Sequence, residues 1–269
     1  MPILLLILQG NINSIEIFKG YLTMTELQGK TAFVSGGTRG IGAAIVRKLA
    51  AAGANVAFTY SKSQDKAKEM SAEIEAKGSK ALAIQADAME AQNVIQAVQQ
   101  AVSVFGKIDI LVNSAGIFEL KPITESTLED YERTEKINIK AVFAATSEAV
   151  KSMPEGGRII TIGSVNADAM PFPGGSLYAM SKAAVQMMTR SWARDLSEKQ
   201  ITANVIQPGP INTDMNPEDG PFGETLSGMT ALKRYGKPEE IAELTAFLAS
   251  PKAAYITGAA MDIDGGFKV

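Results

Sequence analysis

Histidine and cysteine are both absent from this chain of 269 residues. Without histidine, the protein cannot contain a Ser-His-Asp triad, an imidazole base or a histidine-ligated metal, and we expect no metal site. Without cysteine, disulfides and thiolate chemistry are excluded, which suits a reducing cytoplasm. Proton transfer near neutral pH must therefore use a carboxylate, a lysine or a tyrosine with a displaced pKa.

Excess charge and long apolar runs are also missing. The 26 Lys and Arg nearly balance 29 Asp and Glu, and the net charge of −3 does not favour binding driven by phosphate charge. The apolar run at residues 3–8 is too short to span a bilayer and lacks the basic region and cleavage site of a secretory signal. We therefore expect neither a nucleic acid nor a membrane as partner.

Residues 1–23 differ in character from the rest, whereas Met24 opens MTELQGKTAFVSGG, which is typical of the start of a domain. We interpret residues 1–23 as an extension, either translated from upstream or specific to a lineage. An extra strand or an interface arm is the alternative. Residues 24–269 contain no repeat, low-complexity tract or long linker, so we predict a single domain there.

Short apolar, β-branched runs alternate with amphipathic stretches along this domain. We predict strands over 31–35, 55–60, 80–85, 108–113, 158–163, 202–207 and 259–263. We predict helices over 41–52, 63–77, 90–105, 127–151, 176–197 and 238–249, with a loop-rich segment over 208–237. Near-continuous apolar strands alternating with helices favour a Rossmann-type, doubly wound α/β domain with a parallel sheet of about seven strands.

A glycine-rich loop, SGGTRGIG (35–42), follows the first strand and opens a helix. In that position backbone N–H groups and the helix N-terminus can approach a pyrophosphate. The spacing of Gly36, Gly40 and Gly42 is not the usual G-x-G-x-x-G pattern, so a structural turn is the alternative.

The end of the second strand indicates which dinucleotide is preferred. A site for NAD usually has an acid there to hold the ribose 2′-hydroxyl. Here the strand ends in TYSKSQ (59–64), and Arg39, Ser61 and Lys62 are the nearby polar residues. Cations and a hydroxyl suit a 2′-phosphate, so we predict NADP(H) in preference to NAD(H). Solvated surface cations are the alternative for Arg39 and Lys62.

The segment SLYAMSKAAV (176–185) places Tyr178 and Lys182 one helical turn apart. Taken alone, the pair is also compatible with a surface tyrosine packed over a lysine stem. The pair is accompanied, however, by an ordered series of motifs: the glycine loop, NSAG (113–116), Asn138, Ser164 and PGPINT (208–213). With these motifs the chain resembles the short-chain dehydrogenase/reductase family over residues 27–267, and most resembles its 3-oxoacyl-carrier-protein reductase-like ketoreductases.

This resemblance implies a role for each of four residues. Tyr178 would donate the proton to a substrate carbonyl, and Lys182 would lower the pKa of its phenol and bind the nicotinamide ribose. Ser164 would hydrogen-bond the carbonyl oxygen, and Asn138 would hold a water that relays protons to Lys182. A polar residue that satisfies a helix bend is the alternative for Asn138.

The resemblance also implies a set of cofactor contacts in the loops that follow the strands. They comprise the phosphate loop, the end of the second strand, the turns after strands three and four, and the nicotinamide carboxamide loop, besides Tyr178 and Lys182. These residues are Gly36, Thr38, Arg39, Gly40, Ile41, Gly42, Tyr60, Ser61, Lys62, Asp87, Ala88, Asn113, Ala115, Gly116, Pro208, Gly209, Ile211 and Thr213.

Three departures from the family pattern stand out. Ser35 replaces a usual threonine, Ser114 replaces a usual asparagine, and the gap from Ser164 to Tyr178 is one residue longer than usual. The longer gap makes Ser176 a competing candidate for the polarising hydroxyl.

The predicted substrate pocket is mostly apolar, which implies a ketone or aldehyde with a hydrophobic body. Ordinary loop packing is the alternative for these residues. They are Ile117, Phe118, Met170, Phe172, Met215, Phe222 and Met229.

Two further questions concern partners and class. We predict a homotetramer, with a dimer as the alternative, by analogy with the family; no basic patch for an acidic acyl carrier protein is evident.

Segments 153–171 and 207–221 are also similar to a bacterial cyclic-di-GMP-binding mediator of biofilm dispersal. A ligand-binding regulator on the same fold is therefore the alternative to an enzyme.

Overall fold

The computed structural model describes residues 26–269, so the predictions for residues 1–23 lie outside the described residues. Within the described part of the chain, seven parallel strands form one sheet in the order β3-β2-β1-β4-β5-β6-β7. The strands are β1 Thr31–Val34, β2 Asn55–Tyr60, β3 Ala81–Gln85, β4 Ile110–Asn113, β5 Arg158–Ile162, β6 Thr202–Pro208 and β7 Ala260–Ile263. The predicted doubly wound α/β domain is confirmed.

Helices cover both faces of this sheet. They are α1 Gly40–Ala51, α2 Gln64–Ala76, α3 Ala91–Phe105, α4 Leu128–Glu135, α5 Ala141–Ser152, α6 Ser176–Asp195, α7 Gly223–Met229 and α8 Pro238–Ala249. The helices α1 and α8 pack together on one face, and α3 and α5 pack together on the other. No helix in residues 26–269 is both long enough and apolar enough to cross a membrane.

The strands are apolar throughout because each of their faces is covered. In β1, Phe33 belongs to one buried cluster and Val34 to the other, since successive side chains of a strand point to opposite faces. In β2, Ala57 and Phe58 divide between the clusters in the same way. A strand buried on both faces loses the alternation of polar and apolar residues, which explains the continuous apolar runs in the sequence.

The long helix predicted over 127–151 is divided in the structure. It begins where Thr127 and Asp130 form a capping box, and α4 passes into a π-helical turn, Lys136–Lys140, before α5. The turn contains the buried Asn138. Single π-helical turns occur frequently at functional sites, so the interruption itself marks this region.

The strand order places a crevice at the centre of the sheet. The chain runs outward from β1 through β2 to β3 and then returns to β4 on the other side of β1. Connections therefore leave β1 and β4 in opposite directions, and a gap opens beyond their carboxyl ends. In doubly wound sheets, ligands bind in such a crevice.

Candidate active site

A cleft of about 980 Å³ lies at the carboxyl ends of the strands and collects most of the predicted site residues. Its lining includes Gly36, Thr38, Arg39, Gly40, Ile41, Gly42, Tyr60, Ser61, Lys62, Asp87, Ala88, Ala115, Gly116, Ser164, Tyr178, Lys182, Pro208, Gly209, Ile211 and Thr213. Asn113 and Asn138 do not line this cleft. The positions of these two asparagines are described below.

The glycine loop packs directly against the turn that follows β4. Gly36 has a φ of +71°, and a Cβ added to it would lie 2.9 Å from the Cα of Ala115. The Ser35 hydroxyl accepts hydrogen bonds from the N–H groups of Ser114 at 3.0 Å and Ala115 at 3.1 Å. A hydroxyl at position 35 therefore fixes the spacing between the two loops.

The amino end of α1 faces this cleft and suits a phosphate group. Its N-cap residue, Arg39, makes no side-chain capping hydrogen bond, so the first N–H groups of the helix are not satisfied by that cap. Gly40 and Gly42 line the cleft at the same helix end. An anion here would receive backbone N–H groups and the positive end of the helix dipole.

Cations and hydroxyls surround the end of β2. Arg39, Ser61 and Lys62 line the cleft as predicted, and Ser63 and Lys66 join them. In the described part of the chain, no carboxylate forms an ion pair with any of these three cations. Lys66 lies in the first turn of α2, four residues after Lys62, and its nearness to the predicted cations along the chain could have identified it.

Lys182 lies at the deep end of the cleft, on α6. Its Nζ donates a hydrogen bond to the carbonyl oxygen of Ile162 at 2.9 Å and lies 5.6 Å from the centre of the Tyr178 ring. Desolvation lowers the pKa of Lys182 to about 8, because burial penalises the charged form. Lys182 is therefore a buried amine that can gain or lose a proton close to neutral pH.

Tyr178 lies beside Lys182, with its ring edge against Phe118 at a centroid distance of 4.7 Å. Burial raises the pKa of Tyr178, and a hydrogen bond with Ser164 opposes that effect only in part. Desolvation is the larger of these two effects. The lowering of the phenol pKa by Lys182, which the resemblance implies, stays a prediction.

Ser164 is the hydroxyl that lies next to Tyr178. It lies two residues after the end of β5, and its Oγ accepts a hydrogen bond from the N–H of Asn166 at 3.2 Å. The competing candidate, Ser176, is exposed at the start of α6 and does not line the cleft. Despite the longer gap, Ser164 lines the cleft and forms a hydrogen bond with Tyr178.

Asn138 lies behind the wall of the cleft, where it holds two segments together. Its Oδ1 accepts from the N–H of Ile117 at 2.9 Å, and its Nδ2 donates to the Ile117 carbonyl at 3.0 Å and to Ser181 Oγ at 3.0 Å. Ser181 in turn donates to the Tyr178 carbonyl at 2.7 Å. Asn138 therefore links the loop after Gly116 to the helix that carries Tyr178.

Asn113 also lies behind the wall of the cleft. It is buried, and its Nδ2 donates to Thr146 Oγ1 at 3.1 Å, away from the cleft. Its Oδ1 has no hydrogen-bond partner among the described residues. Asn113 supports the β4 turn from beneath, and its predicted place in the cofactor site stays a prediction.

The apolar end of the cleft agrees largely with the predicted pocket. Ile117, Phe118, Met170, Phe172, Met215 and Phe222 line it, whereas Met229 does not. The sequence analysis missed Leu120, Val142, Leu226 and Phe267. Of these, Phe267 carried no sequence signal, because it follows the last strand and reaches the cleft only through the path of the C-terminal tail.

Comparison with known proteins places the chain in a family. A family model described as enoyl-(acyl carrier protein) reductase matches residues 36–268. A solved short-chain dehydrogenase/reductase from Serratia marcescens BCRC 10948 is 52% identical, with a TM-score of 0.89 over 91% of this chain and 100% of that one. The chain belongs to the short-chain dehydrogenase/reductase family.

Two other relatives carry functional names. A short-chain dehydrogenase from Burkholderia cenocepacia J2315, solved in complex with NADP, is 45% identical, with a TM-score of 0.89 over 91% of this chain and 100% of that one. The cyclic-di-GMP-binding biofilm dispersal mediator protein of Escherichia coli K12 is 47% identical over 91% of this chain and 99% of its own length. Members of this family with differently described functions therefore resemble the chain about equally.

The pH dependence of stability tests the buried Lys182 amine. Its pKa is about 8 in the folded chain, and about 10.4 is usual for an unfolded one. Between these values the unfolded chain binds more protons, so this residue makes the free energy of unfolding rise with pH. We expect the difference in unfolding free energy between wild type and Lys182→Met, measured with urea, to rise from about pH 8 to about pH 10.

The exposed Lys48 provides the matched control. For Lys48→Met, the difference in unfolding free energy from wild type should stay constant over the same pH range, because Lys48 lies at the surface beside Glu243. A flat difference for Lys182→Met as well would contradict a lowered pKa at Lys182.

Proposed function

We propose that the protein is an NADPH-dependent oxidoreductase that reduces a ketone or an aldehyde to an alcohol. The observation that carries this proposal is the convergence of Ser164, Tyr178 and Lys182 where the apolar end of the cleft begins. A phenol, a hydroxyl and an amine there can bind and protonate a carbonyl oxygen while the apolar wall holds the rest of the substrate.

The cleft fits a dinucleotide phosphate. The amino end of α1 and the glycine loop would hold the pyrophosphate, and Arg39, Ser61, Lys62 and Lys66 would surround a 2′-phosphate. When bound, the nicotinamide supplies the hydride that the protein's own side chains cannot. The NADP bound to the Burkholderia relative supports the same preference here.

The proton would come from Tyr178. Burial raises the pKa of its phenol, so the group is protonated at neutral pH and can serve as the donor. Ser164 would share the carbonyl oxygen with Tyr178 and stabilise the negative charge that develops on it. Lys182, with a pKa of about 8, can return a proton to the phenolate that remains.

Asn138 would act as a positioning residue in this arrangement. Through Ile117 and Ser181 it fixes both the loop beside the substrate and the helix that bears Tyr178. A Cβ added to Gly116 would lie 3.3 Å from Asn138 Oδ1 and 3.7 Å from Lys182 Nζ, so the backbone at Gly116 bridges the two groups. The predicted water relay between them stays a prediction.

Loss of the phenol tests the reductase directly. We expect wild type to oxidise NADPH with ketones, aldehydes or β-keto esters, followed optically, and Tyr178→Phe to lose about 100-fold to 10,000-fold in kcat. The Kd for NADPH should stay within about twofold, because the ring and its packing remain. Turnover by Tyr178→Phe at the wild-type rate would contradict its role as proton donor.

The choice between NADPH and NADH tests the cationic pocket. We expect Arg39→Gln and Lys62→Gln each to raise the KM for NADPH about tenfold, since each removes a charge beside the 2′-phosphate. The KM for NADH should change little. The control is Lys68→Gln, which alters an exposed lysine on α2 that does not line the cleft. Equal effects on both cofactors would contradict the assignment.

A regulator that binds a cyclic dinucleotide is the second candidate. The resemblance to the Escherichia coli mediator supports it, and the same unpaired cations could hold the phosphates of cyclic di-GMP. Binding of cyclic di-GMP and NADPH, measured by calorimetry, separates the two proposals. A regulator would bind cyclic di-GMP, show no turnover with any carbonyl compound, and keep its affinity in Tyr178→Phe.

We also propose that the chain assembles as a homotetramer. Phe143 on α5 and Met187 on α6 are 54% and 60% exposed, and Tyr255 is fully exposed near β7. Such side chains are costly to leave in water and favour a second copy as partner. Light scattering at micromolar concentration should give four times the chain mass of 28.5 kDa. A monomer would contradict the proposal, and a dimer would mean that only one of the two interfaces forms.

A cytoplasmic location stays a prediction.

A further inference from the structure

The tail after β7, residues 264–269, is held in a defined path. The Asp264 carboxylate accepts hydrogen bonds from the N–H groups of Gly266 at 2.9 Å and Lys268 at 3.0 Å. The N–H of Leu232 donates to the Gly265 carbonyl at 3.0 Å, which joins the tail to the segment after α7. Gly265 and Gly266 both have positive φ values, so the chain turns sharply before Phe267.

Lys268 connects this tail to the loop between β5 and α6. Its Nζ lies 2.6 Å from Asp168 Oδ2 and 2.9 Å from Asp262 Oδ2. Asp168 also accepts hydrogen bonds from Gln207 at 3.0 Å and Gln186 at 3.2 Å. The side chains of Lys268, Asp168 and Asp262 are 22%, 38% and 39% exposed, so this network lies at the surface and holds the tail by several contacts together.

The loop that carries Asp168 is the segment that is one residue longer than usual for the family. Its residues Met170 and Phe172 line the cleft, and so does Phe267 from the tail. Lys268 thus joins two parts of one wall, the β5–α6 loop and the tail. Neither part belongs to the catalytic group formed by Ser164, Tyr178 and Lys182.

We propose that Phe267 is a specificity-determining residue of the cleft and that Lys268, through Asp168, is the positioning residue that holds it there. The inference rests on the proposed reductase function for its kinetic test, although the geometry does not depend on it. Phe267 limits the size of the group that the substrate carries beside its carbonyl. Lys268 keeps that limit fixed by preventing the tail from moving away from the β5–α6 loop.

The charges at this junction persist over the working range of pH. Hydrogen bonding to Lys268 lowers the pKa of Asp168, and the same contact, with that to Asp262, raises the pKa of Lys268. Both partners therefore stay ionised at neutral pH. Charge-assisted hydrogen bonds of this kind are stronger than neutral ones.

The first test compares a small ketone, butanone, with a bulky one, an aryl alkyl ketone, in wild type and Phe267→Ala. Removing the ring enlarges the pocket, and differences of this size in an apolar pocket change the discrimination between substrates about 10-fold to 200-fold. We expect the ratio of kcat/KM for the bulky over the small ketone to rise at least tenfold. The Kd for NADPH should not change, because Phe267 is not among the phosphate-binding residues.

The second test concerns Lys268. We expect Lys268→Met to raise the KM for butanone with a smaller change in kcat and to speed hydrogen exchange at the amides of Leu232 and Gly266 at least tenfold. Lys268→Arg should restore both, because it keeps a cation between Asp168 and Asp262. Lys48→Met, which removes a different ion-paired lysine, is the matched control and should behave like wild type.

A readout without turnover keeps this inference separate from the proposed function. The rise in Tm that each ketone gives in the presence of NADPH measures binding alone. If the size preference in ketone binding shifts in Phe267→Ala, the role of Phe267 in the cleft is supported even when no carbonyl compound is reduced. The lack of turnover would then contradict only the proposed function. An unchanged preference in binding and in kcat/KM would overturn the role of Phe267. Exchange rates equal to those of Lys48→Met would overturn the role of Lys268.

Discussion

The site depends on one close contact, the approach of the glycine loop to the turn that follows β4. A side chain at Gly36 would overlap the backbone of Ala115, and a Cβ at Gly42 would lie 2.1 Å from the Gly36 carbonyl oxygen. Because neither position has a side chain, β1 and β4 can end side by side and α1 can start directly over the crevice. The phosphate-binding end and the carbonyl-binding end of the cleft are both set by this junction.

The second constraint is electrostatic. Burial moves the pKa values of Tyr178 and Lys182 in opposite directions, upward for the phenol and downward for the amine. The two values therefore move apart, so the phenol keeps its proton at neutral pH while the amine can gain or lose one near pH 8. An exposed tyrosine and lysine with the same spacing would keep their ordinary values and lack most of this difference.

Most of the fold and much of the site follow from the sequence, because both rest on local patterns. Apolar runs mark the strands, and the glycine loop and the Tyr178 helix each lie within one short segment. Local patterns do not give tertiary placement. Asn113 and Asn138 lie in the expected segments, and their side chains bond to groups behind the cleft, which only the folded structure shows. Phe267 was missed, since its distance from the motifs along the chain hides its position in the cleft.

The same fold could serve a reductase or a regulator, and the glycine loop does not distinguish them, since both would bind phosphates there. The deep end of the cleft does. Keeping the Lys182 amine buried beside the Ile162 carbonyl costs free energy, as its lowered pKa shows. A binding protein could place an apolar side chain there and gain stability, because buried charges are seldom stabilising. A displaced pKa next to a phenol and a hydroxyl in a cleft is the usual mark of proton chemistry, and it favours the enzyme.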